Sequence, residues 1–407
     1  MNIILLAWKN IWRNKVRSGV ILAAIAIGLF AGTFLASFLS GWMVGTVNDD
    51  VNTHLSHVQI HNEAFIANSA IDAFFMKEAV EPKIRAGGIS APMSSRLRVT
   101  GMLASPHKAL GITVRGVDAA DETRLSTIHT LIPDSMGSFL AEGERMPVVI
   151  SRKIAEELKV KLRSKIVLTV QDAAGEMQSI AFRVGGIYKT TNAIYDEANI
   201  FVRYSDLLPY TALPEGAVHE TALRFDDLET CELIAPTVTE LLPDMKVQTW
   251  GELNTMLGMS LAWTDMMAVI MIGIFLLSLS FGIINTMLMA VLERTREIGM
   301  LRAIGMSRGR VFRMIMAETV LLTLFGSCIG ILLGVCIIIP SMSSGIDLTF
   351  LMGDLFEDYG FGSVIYPVLN MKMFVQIICL VIATGILSAI YPARKALALK
   401  VLDAVRH

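Results

Sequence analysis

The sequence is short of charged residues in four long stretches. Asp, Glu, Lys and Arg make up 18% of the 407 residues, whereas soluble domains contain about a quarter. None of them occurs in the ranges 18–48, 266–292, 319–346 and 373–393. About 20 apolar residues cross a bilayer, and shorter runs do not. We therefore predict an α-helical membrane protein with four transmembrane helices.

Motifs for catalysis and cofactor binding are also scarce. No HExxH or GxxxxGK[ST] sequence occurs, and no GxSxG or paired-carboxylate motif stands in a convincing context. The four cysteines have no CxxC spacing. The net charge of -2 gives no reason to expect nucleic acid. We expect no catalytic residue, no metal and no cofactor bound by this chain itself.

Three histidines are the main candidates for a metal site. His54, His57 and His61 recur at spacings of three and four, as metal ligands on one helical face would. The segment becomes strand-like at Val58, which would send the three side chains to different places. Structural or solvated histidines are therefore favoured.

Most basic residues next to the apolar runs lie on the same side of them. They are Lys9, Arg13, Lys15, Arg17, Arg294, Arg296, Arg302, Arg308, Arg310, Arg313, Arg394, Lys395, Lys400 and Arg406. The loop 341–370 has no Lys or Arg; its acidic residues are Asp347, Asp354, Glu357 and Asp358. Because Lys and Arg stay on the cytoplasmic side, both termini are predicted to be cytoplasmic in a bacterial inner membrane, and the large domain periplasmic.

These signals define an order of segments along the chain. They are a cytoplasmic amphipathic helix at 1–17, transmembrane helix 18–45, a periplasmic α/β domain at 46–262, transmembrane helix 263–292, a cytoplasmic coupling segment at 293–313, transmembrane helix 314–340, a periplasmic loop at 341–371, transmembrane helix 372–393 and a cytoplasmic tail at 394–407. The first apolar run is too long for a cleavable signal peptide. Residues 1–17 could also simply extend the first transmembrane helix.

The large domain shows mixed α/β patterns. Strand-like stretches and helices alternate so as to suggest a split α/β subdomain at 46–117 and 218–262, with a β-rich subdomain inserted at 118–217. The helices are expected at 70–86, 151–158 and 228–242, and from Trp250 directly into the second membrane span. Ser151 is a plausible N-cap.

The coupling segment is the main candidate site. Its polar side chains Glu293, Arg294, Arg296, Glu297 and Arg302 accompany Ile298, Leu301 and Ile304, which recur every three residues, before Gly305 breaks the helix. A short amphipathic helix can dock in a groove of another protein. The alternative is a solvated loop whose basic residues only orient the membrane spans.

Small residues recur every four positions on two membrane helices. They are Gly28 and Gly32 on the first helix, and Gly326, Gly330 and Gly334 on the third. This spacing lets helix backbones approach closely. It fits a dimer interface and packing within one subunit equally well.

Ionisable residues are nearly absent from the membrane runs. Asp265 is expected at the outer end of the second helix and Glu318 at the inner end of the third. Ion-coupled transporters place such groups near mid-membrane, so the energy for any transport must come from elsewhere.

The residues 293–299 (Glu-Arg-Thr-Arg-Glu-Ile-Gly) and 301–306 (Leu-Arg-Ala-Ile-Gly-Met) resemble the signature of the FtsX-like/MacB permease family of ABC transporters. The opening at 10–18 and the terminal Tyr-Pro-Ala-Arg-Lys-Ala at 391–396 are similar as well. The layout of one helix, a large outer domain and three further helices also agrees. Among relatives, the lipoprotein-releasing permeases are similar in size and topology, whereas 293–306 is closer to the macrolide-exporter branch.

The resemblance implies partners and a mechanism. The permease would dimerise with a second copy or a paralogue, and a separate ATPase subunit would dock on 293–306, because this chain contains no fused ATP-binding domain. ATP and Mg would be bound by that subunit, which would move the membrane helices and transmit force to the outer domains. The chain itself would not be an enzyme.

Several functions remain open. The leading expectation is extraction or export of an amphiphilic or lipidated substrate, such as lipoprotein release from the inner membrane to a periplasmic carrier. The alternatives are signalling to a periplasmic partner such as a cell-wall hydrolase, and efflux of an antibiotic or peptide with an adaptor and an outer-membrane factor. An enzyme on the outer face is a weaker third hypothesis.

Overall fold

The computed structural model describes residues 3–348, 364–369 and 371–398. Most of the expected loop 341–371, including Asp354, Glu357 and Asp358, lies outside the described residues, as do Lys400 and Arg406. The chain forms two compact units. One contains the described residues up to Val44, Leu261–Asp347 and those from Val364 onward; the other contains Gly45–Ser260.

Long helices dominate the first unit. In chain order, the helices with residues in this unit are α1 (Ile3–Arg13), α2 (Lys15–Asp50), α11 (Thr255–Glu293), α12 (Thr295–Ala303), α13 (Arg308–Ser344) and α14 (Met371–Ala398). Four segments of the described chain are long and apolar enough to cross a membrane: Lys15–Leu55, Thr255–Glu293, Arg308–Ser344 and Phe374–Leu397. The predicted four transmembrane helices are thus confirmed. Residues 1–17 are not one helix, because α1 ends at Arg13.

The membrane helices pack through aliphatic side chains. Ile25 and Leu29 of α2, Ile272 and Leu276 of α11 and Ile377 of α14 belong to one buried cluster. Beyond α13, the short strands β12 (Ile346–Asp347) and β13 (Val364–Ile365) pair antiparallel.

The second unit is built on one large sheet. Its helices are α3 (Glu63–Asn68), α4 (Lys77–Ala86), α5 (Ala119–Leu125), α6 (Arg152–Leu158), α7 (Ala193–Ala198), α8 (Tyr204–Leu207), α9 (Leu228–Leu241) and α10 (Trp250–Leu253). Its strands are β1 (Val58–His61), β2 (Phe75–Met76), β3 (Met93–Ala104), β4 (Ala109–Val117), β5 (Pro147–Ser151), β6 (Lys165–Gln171), β7 (Met177–Tyr188), β8 (Asn199–Arg203), β9 (Ala217–Val218), β10 (Glu220–Leu223) and β11 (Lys246–Thr249).

The nine-stranded sheet has the order β11-β1-β10-β3-β4-β8-β5-β7-β6. Because β6 also pairs with β3, the strands β3, β4, β8, β5, β7 and β6 close into a ring. Leu103, Val114, Ile150 and Phe182 are buried together in the core of this part. The α/β domain expected between the first two membrane helices is confirmed.

The expected subdomain boundary at 117/118 does not match this pairing. The first residues of β3 pair with β10, whereas the stretch from Leu97 onward pairs with β4. The twelve-residue strand β3 therefore belongs to both parts, and the division falls inside it. A pattern of alternating side chains gives the length of a strand but not its partners, so the crossing could not be recognised.

Two helices are shorter than expected. The helix predicted at 70–86 begins only at Lys77, because Phe75 and Met76 pair with β9. The helix from Trp250 stops after Leu253, since Asn254 leaves the helical conformation with φ -124° and ψ 82°. Ser151 caps α6 as expected, its hydroxyl accepting from the Ile154 amide at 3.1 Å.

Candidate functional site

The coupling segment forms a short helix between two long ones. The chain leaves α11 at Arg294 and re-enters a helix at Thr295, whose hydroxyl donates to the Leu292 carbonyl at 2.6 Å. After α12, Gly305 has φ +102°, a conformation that side chains with a Cβ rarely adopt. These breaks set α12 apart as an element of its own.

The expected apolar docking face of α12 is divided. Ile298 is buried with Val291, Val311 and Ile315 in a cluster of this same chain. Leu301 is half-buried, and Ile304 is 86% exposed. Because α12 ends at Ala303, Ile304 lies beyond the helix. Helical spacing therefore no longer places it on the same face as Ile298. Ile298 therefore anchors α12 to its own chain, and only the other end of the apolar row is available to a partner.

Two acidic residues of the site are paired with the N-terminal segment. Glu297 accepts two hydrogen bonds from Arg13 Nη2, at 2.7 and 2.8 Å. Glu293 accepts one from Arg17 at 2.9 Å. Both carboxylates were expected to contact an ATPase, and this stays a prediction; in the structure each has a partner within its own chain. Arg13 and Arg17 were recognised only as signals of orientation.

Arg294 ties three segments together. Its Nη1 lies 3.1 and 3.4 Å from the two carboxylate oxygens of Glu318 in α13. Its Nη2 donates to the backbone carbonyl of Asn10 in α1 at 2.9 Å. The side chains of Arg294 and Glu318 are only 11% and 6% exposed. Arg294 is therefore placed to position the start of α12 rather than to meet a partner.

The remaining charged residues of the segment lie nearer the surface. Arg296 is exposed and Arg302 is half-buried. A groove of about 400 Å³ runs between α1, α12 and α13, with Leu6, Leu301 and Met314 among its apolar lining residues. The exposed part of the site thus comprises Arg296, Ile304, Glu293, whose side chain is 58% exposed, and this groove.

The glycine stripe of α13 packs against α2 of the same chain. A Cβ at Gly326 would lie 2.7 Å from Ile25 Cγ2, at Gly330 2.6 Å from the Ala26 carbonyl oxygen, and at Gly334 2.6 Å from Thr33 Oγ1. These close approaches support the packing alternative. Gly28 and Gly32 make ordinary contacts instead: a Cβ at either would lie 3.9 Å from Leu279 or Ile272 of α11.

The second unit contains a buried charge cluster that sequence patterns did not reveal. Arg96 donates to Glu122 at 2.7 and 2.9 Å and to Glu220 at 2.5 Å, and all three side chains are buried. Burial would raise the pKa of Glu220, but Arg96 and Arg115 hold it well below its usual value. The cluster joins β3, β10 and α5. The alternation of side chains along the strand could have predicted that Arg96 faces inward, but it could not have identified its partners.

The three histidines do not form a ligand set. His61 Nδ1 lies 3.1 Å from the His219 carbonyl oxygen, whereas His57 Nδ1 accepts from the Phe225 amide at 3.2 Å. Burial, followed by the charge of Arg224, lowers the pKa of His57 to about 4. Within the described ranges, no group of three or more His, Cys, Asp or Glu is arranged to hold a metal ion.

Comparison with known proteins gives a family match that includes the coupling segment. Residues 269–401 match the family model "FtsX-like permease C-terminal". The "Macrolide export ATP-binding/permease protein MacB" of Chlorobaculum tepidum is 35% identical over 126 residues, which are 31% of this chain and 17% of that protein. The "ABC transporter permease YtrF" of Bacillus subtilis is 36% identical over 132 residues, 31% of this chain and 29% of that protein. The chain thus covers less than a third of the length of either relative.

Solved structures resemble the chain only distantly. The periplasmic region of MacB from Actinobacillus actinomycetemcomitans matches with a TM-score of 0.35 and 12% identity, over 53% of this chain and 98% of that one. The extracellular domain of the transporter YknZ from Gram-positive bacteria gives 0.33 and 12%, over 47% and 99%. Residues 269–401 thus match an FtsX-like permease domain, and the chain is similar to ABC transporter permeases named MacB and YtrF.

Proposed function

We propose that this chain is the permease subunit of an ATP-driven complex, with ATP hydrolysis in a separate subunit. The observation that supports this most directly is α12, a short helix anchored to its own chain by Ile298 and Arg294 yet exposing Arg296 and Ile304. Force applied to the exposed side would pass through these anchors to α11 and α13. The relatives include an ATP-binding/permease protein and ABC permeases.

The proposal includes an orientation and an assembly. α12 lies in the cytoplasm and the α/β unit lies outside the inner membrane, as the distribution of Lys and Arg favours. A second copy or a paralogue completes the permease. The substrate is an amphiphile that the complex extracts from or exports across the membrane, with lipoprotein release as one form of this activity.

The experiment uses the permease purified with its ATP-hydrolysing partner in lipid vesicles. The variants R296E and I304D should lower substrate-stimulated ATP hydrolysis about tenfold, the size of effect expected when a contact central to an interface is lost. K83E, an exposed change in the other unit, is the control with the same reversal of charge as R296E. Absence of any ATP-hydrolysing partner, or full stimulation in both variants, would sink the proposal.

A second candidate is export of a small amphiphilic compound rather than lipoprotein release. The match to a relative named for macrolide export favours it. The two are separated by supplying the vesicles with a macrolide or with a lipidated protein, and measuring which one stimulates ATP hydrolysis.

A further inference from the structure

The α/β unit contains a groove that the coupling mechanism does not use. It lies between α6, the turn that follows α6, the 3₁₀ turn Asp134–Met136 and the end of β7, and it has a volume of about 750 Å³. Pockets for small molecules have volumes of about 300–1,000 Å³. The groove is therefore large enough for a ligand.

The lining of the groove is largely aliphatic. Ala155 and Ile187 are buried at its base, and Val160 and Leu162 are half-buried beside them. Met136 is exposed at its edge. An acyl chain has no polar group that such a lining would leave without a hydrogen-bond partner, whereas a peptide backbone does. The lining thus favours a hydrocarbon chain as the occupant.

The rim of the groove carries an excess of positive charge. Four cationic side chains line it, together with a single carboxylate, Glu156. The cations are Arg152, Lys159, Lys161 and Lys189. Arg152 lies 2.9 Å from Glu156, so this acid is already balanced. The ending of α6 places two of the lysines here, because Lys159 adopts the left-handed conformation that closes the helix.

We propose that this groove binds an anionic amphiphile, with its acyl chain on the aliphatic lining and its headgroup among the rim cations. The inference rests on the proposed transport function, because it takes the ligand of the groove to be the substrate and states the charge of that substrate. The apolar lining and the cationic rim together complement an anionic amphiphile better than a zwitterionic or cationic one.

The test labels the groove in the full chain, held in nanodiscs of zwitterionic lipid. The probes are laurate carrying a diazirine and the same chain on a phosphocholine headgroup, and labelled residues are mapped by mass spectrometry. Laurate should label residues 133–136 and 155–162, with an apparent affinity about tenfold higher than that of the phosphocholine probe.

Charge variants supply the decisive comparison. K159E/K161E changes two exposed residues and should weaken laurate labelling about tenfold, whereas the matched double reversal K83E/K246E should leave it unchanged. V160E, which places a carboxylate in the lining, should weaken labelling by both probes. Melting curves verify that every variant is folded.

Several outcomes would overturn the assignment. Equal labelling by the two probes, or laurate labelling that K159E/K161E does not change, would show that the rim cations do not bind the headgroup. Cross-links from the groove to a second copy of the chain or to an acidic helix of a partner, with no laurate adduct, would identify a protein interface instead. If laurate fails to label while R296E still uncouples ATP hydrolysis, only this inference fails. If laurate labels and no coupling exists, only the proposed function fails.

Discussion

Arg294 Nη1 and Glu318 form a largely buried ion pair, with the nearer carboxylate oxygen at 3.1 Å. The same guanidinium also bonds the carbonyl of Asn10 at 2.9 Å. One side chain therefore joins the end of α11 to α13 and α1. A cation with several donors in a fixed plane can serve two acceptors at once, which a lysine cannot do in the same geometry.

The first prediction concerns this pair. R294Q should lower the free energy of unfolding by about 3 kcal/mol, because it leaves Glu318 buried without its cation. R294L/E318L should recover most of the loss, since it removes both charges together. Chemical denaturation in detergent measures both effects. An R294Q protein as stable as the parent, or a double variant no better than R294Q, would contradict the assignment.

The second prediction separates two roles for Glu297. Its ion pair with Arg13 is about half exposed, at 45% and 52% of the side chains, and such pairs contribute about 1 kcal/mol or less. E297K should therefore fold normally, yet uncouple ATP hydrolysis from transport.

The charge-swapped variant R13E/E297R then distinguishes the causes. Restored stimulation of ATP hydrolysis would show that Glu297 acts through Arg13, by holding α12 against the N-terminal segment. Stimulation still absent in the swap would assign Glu297 to the contact with the ATPase. Full coupling in E297K itself would exclude both roles.

The sequence predicted the elements of this fold better than their partners. The four membrane helices could be predicted from the runs without charged residues, because the length of such a run depends only on consecutive residues. The pairing of Arg13 with Glu297 joins residues 284 positions apart, which no local pattern encodes. The basic residues near the N-terminus both indicate the orientation of the membrane spans and pair with acidic residues of the coupling segment. Their position in the sequence could show only the orientation.

The segment 293–313 stays a predicted docking site, but its apolar residues do not share one exposed face. Helical spacing grouped Ile298 with Ile304, whereas the structure buries one in its own chain and exposes the other. The difference depends on where α12 ends and on the residues of α13 and α14 that cover Ile298. Those contacts are tertiary and lie outside any helical period.

The third prediction concerns the close approach of α13 to α2. G330A should destabilise the protein by about 2 kcal/mol, because the added Cβ would lie 2.6 Å from the Ala26 carbonyl oxygen. G282A is the matched control, since a Cβ there would have no neighbour within 4 Å. Melting temperature and oligomeric state are measured together. If G330A loses a dimer but keeps its thermal stability, the glycine stripe of α13 would instead be assigned to a subunit interface.

The last prediction concerns the acid stability of the α/β unit. His57 is buried, and burial followed by the charge of Arg224 lowers its pKa to about 4. An unfolded histidine titrates near pH 6.5, so between pH 6.5 and 4 the unfolded chain binds the extra proton. The free energy of unfolding should therefore fall as the pH drops through this window, by about 3 kcal/mol for this group.

The variant H57Q isolates that contribution. Its amide oxygen can still accept from the Phe225 amide, but it does not titrate, so the loss of stability towards pH 4 should become shallower. The slope should not vanish, because burial also lowers the pKa of His61 and of His219. H107Q, at an exposed histidine, is the control, and urea denaturation at successive pH values is the measurement. Parallel pH profiles for H57Q and H107Q would show that the buried ring of His57 does not govern acid unfolding.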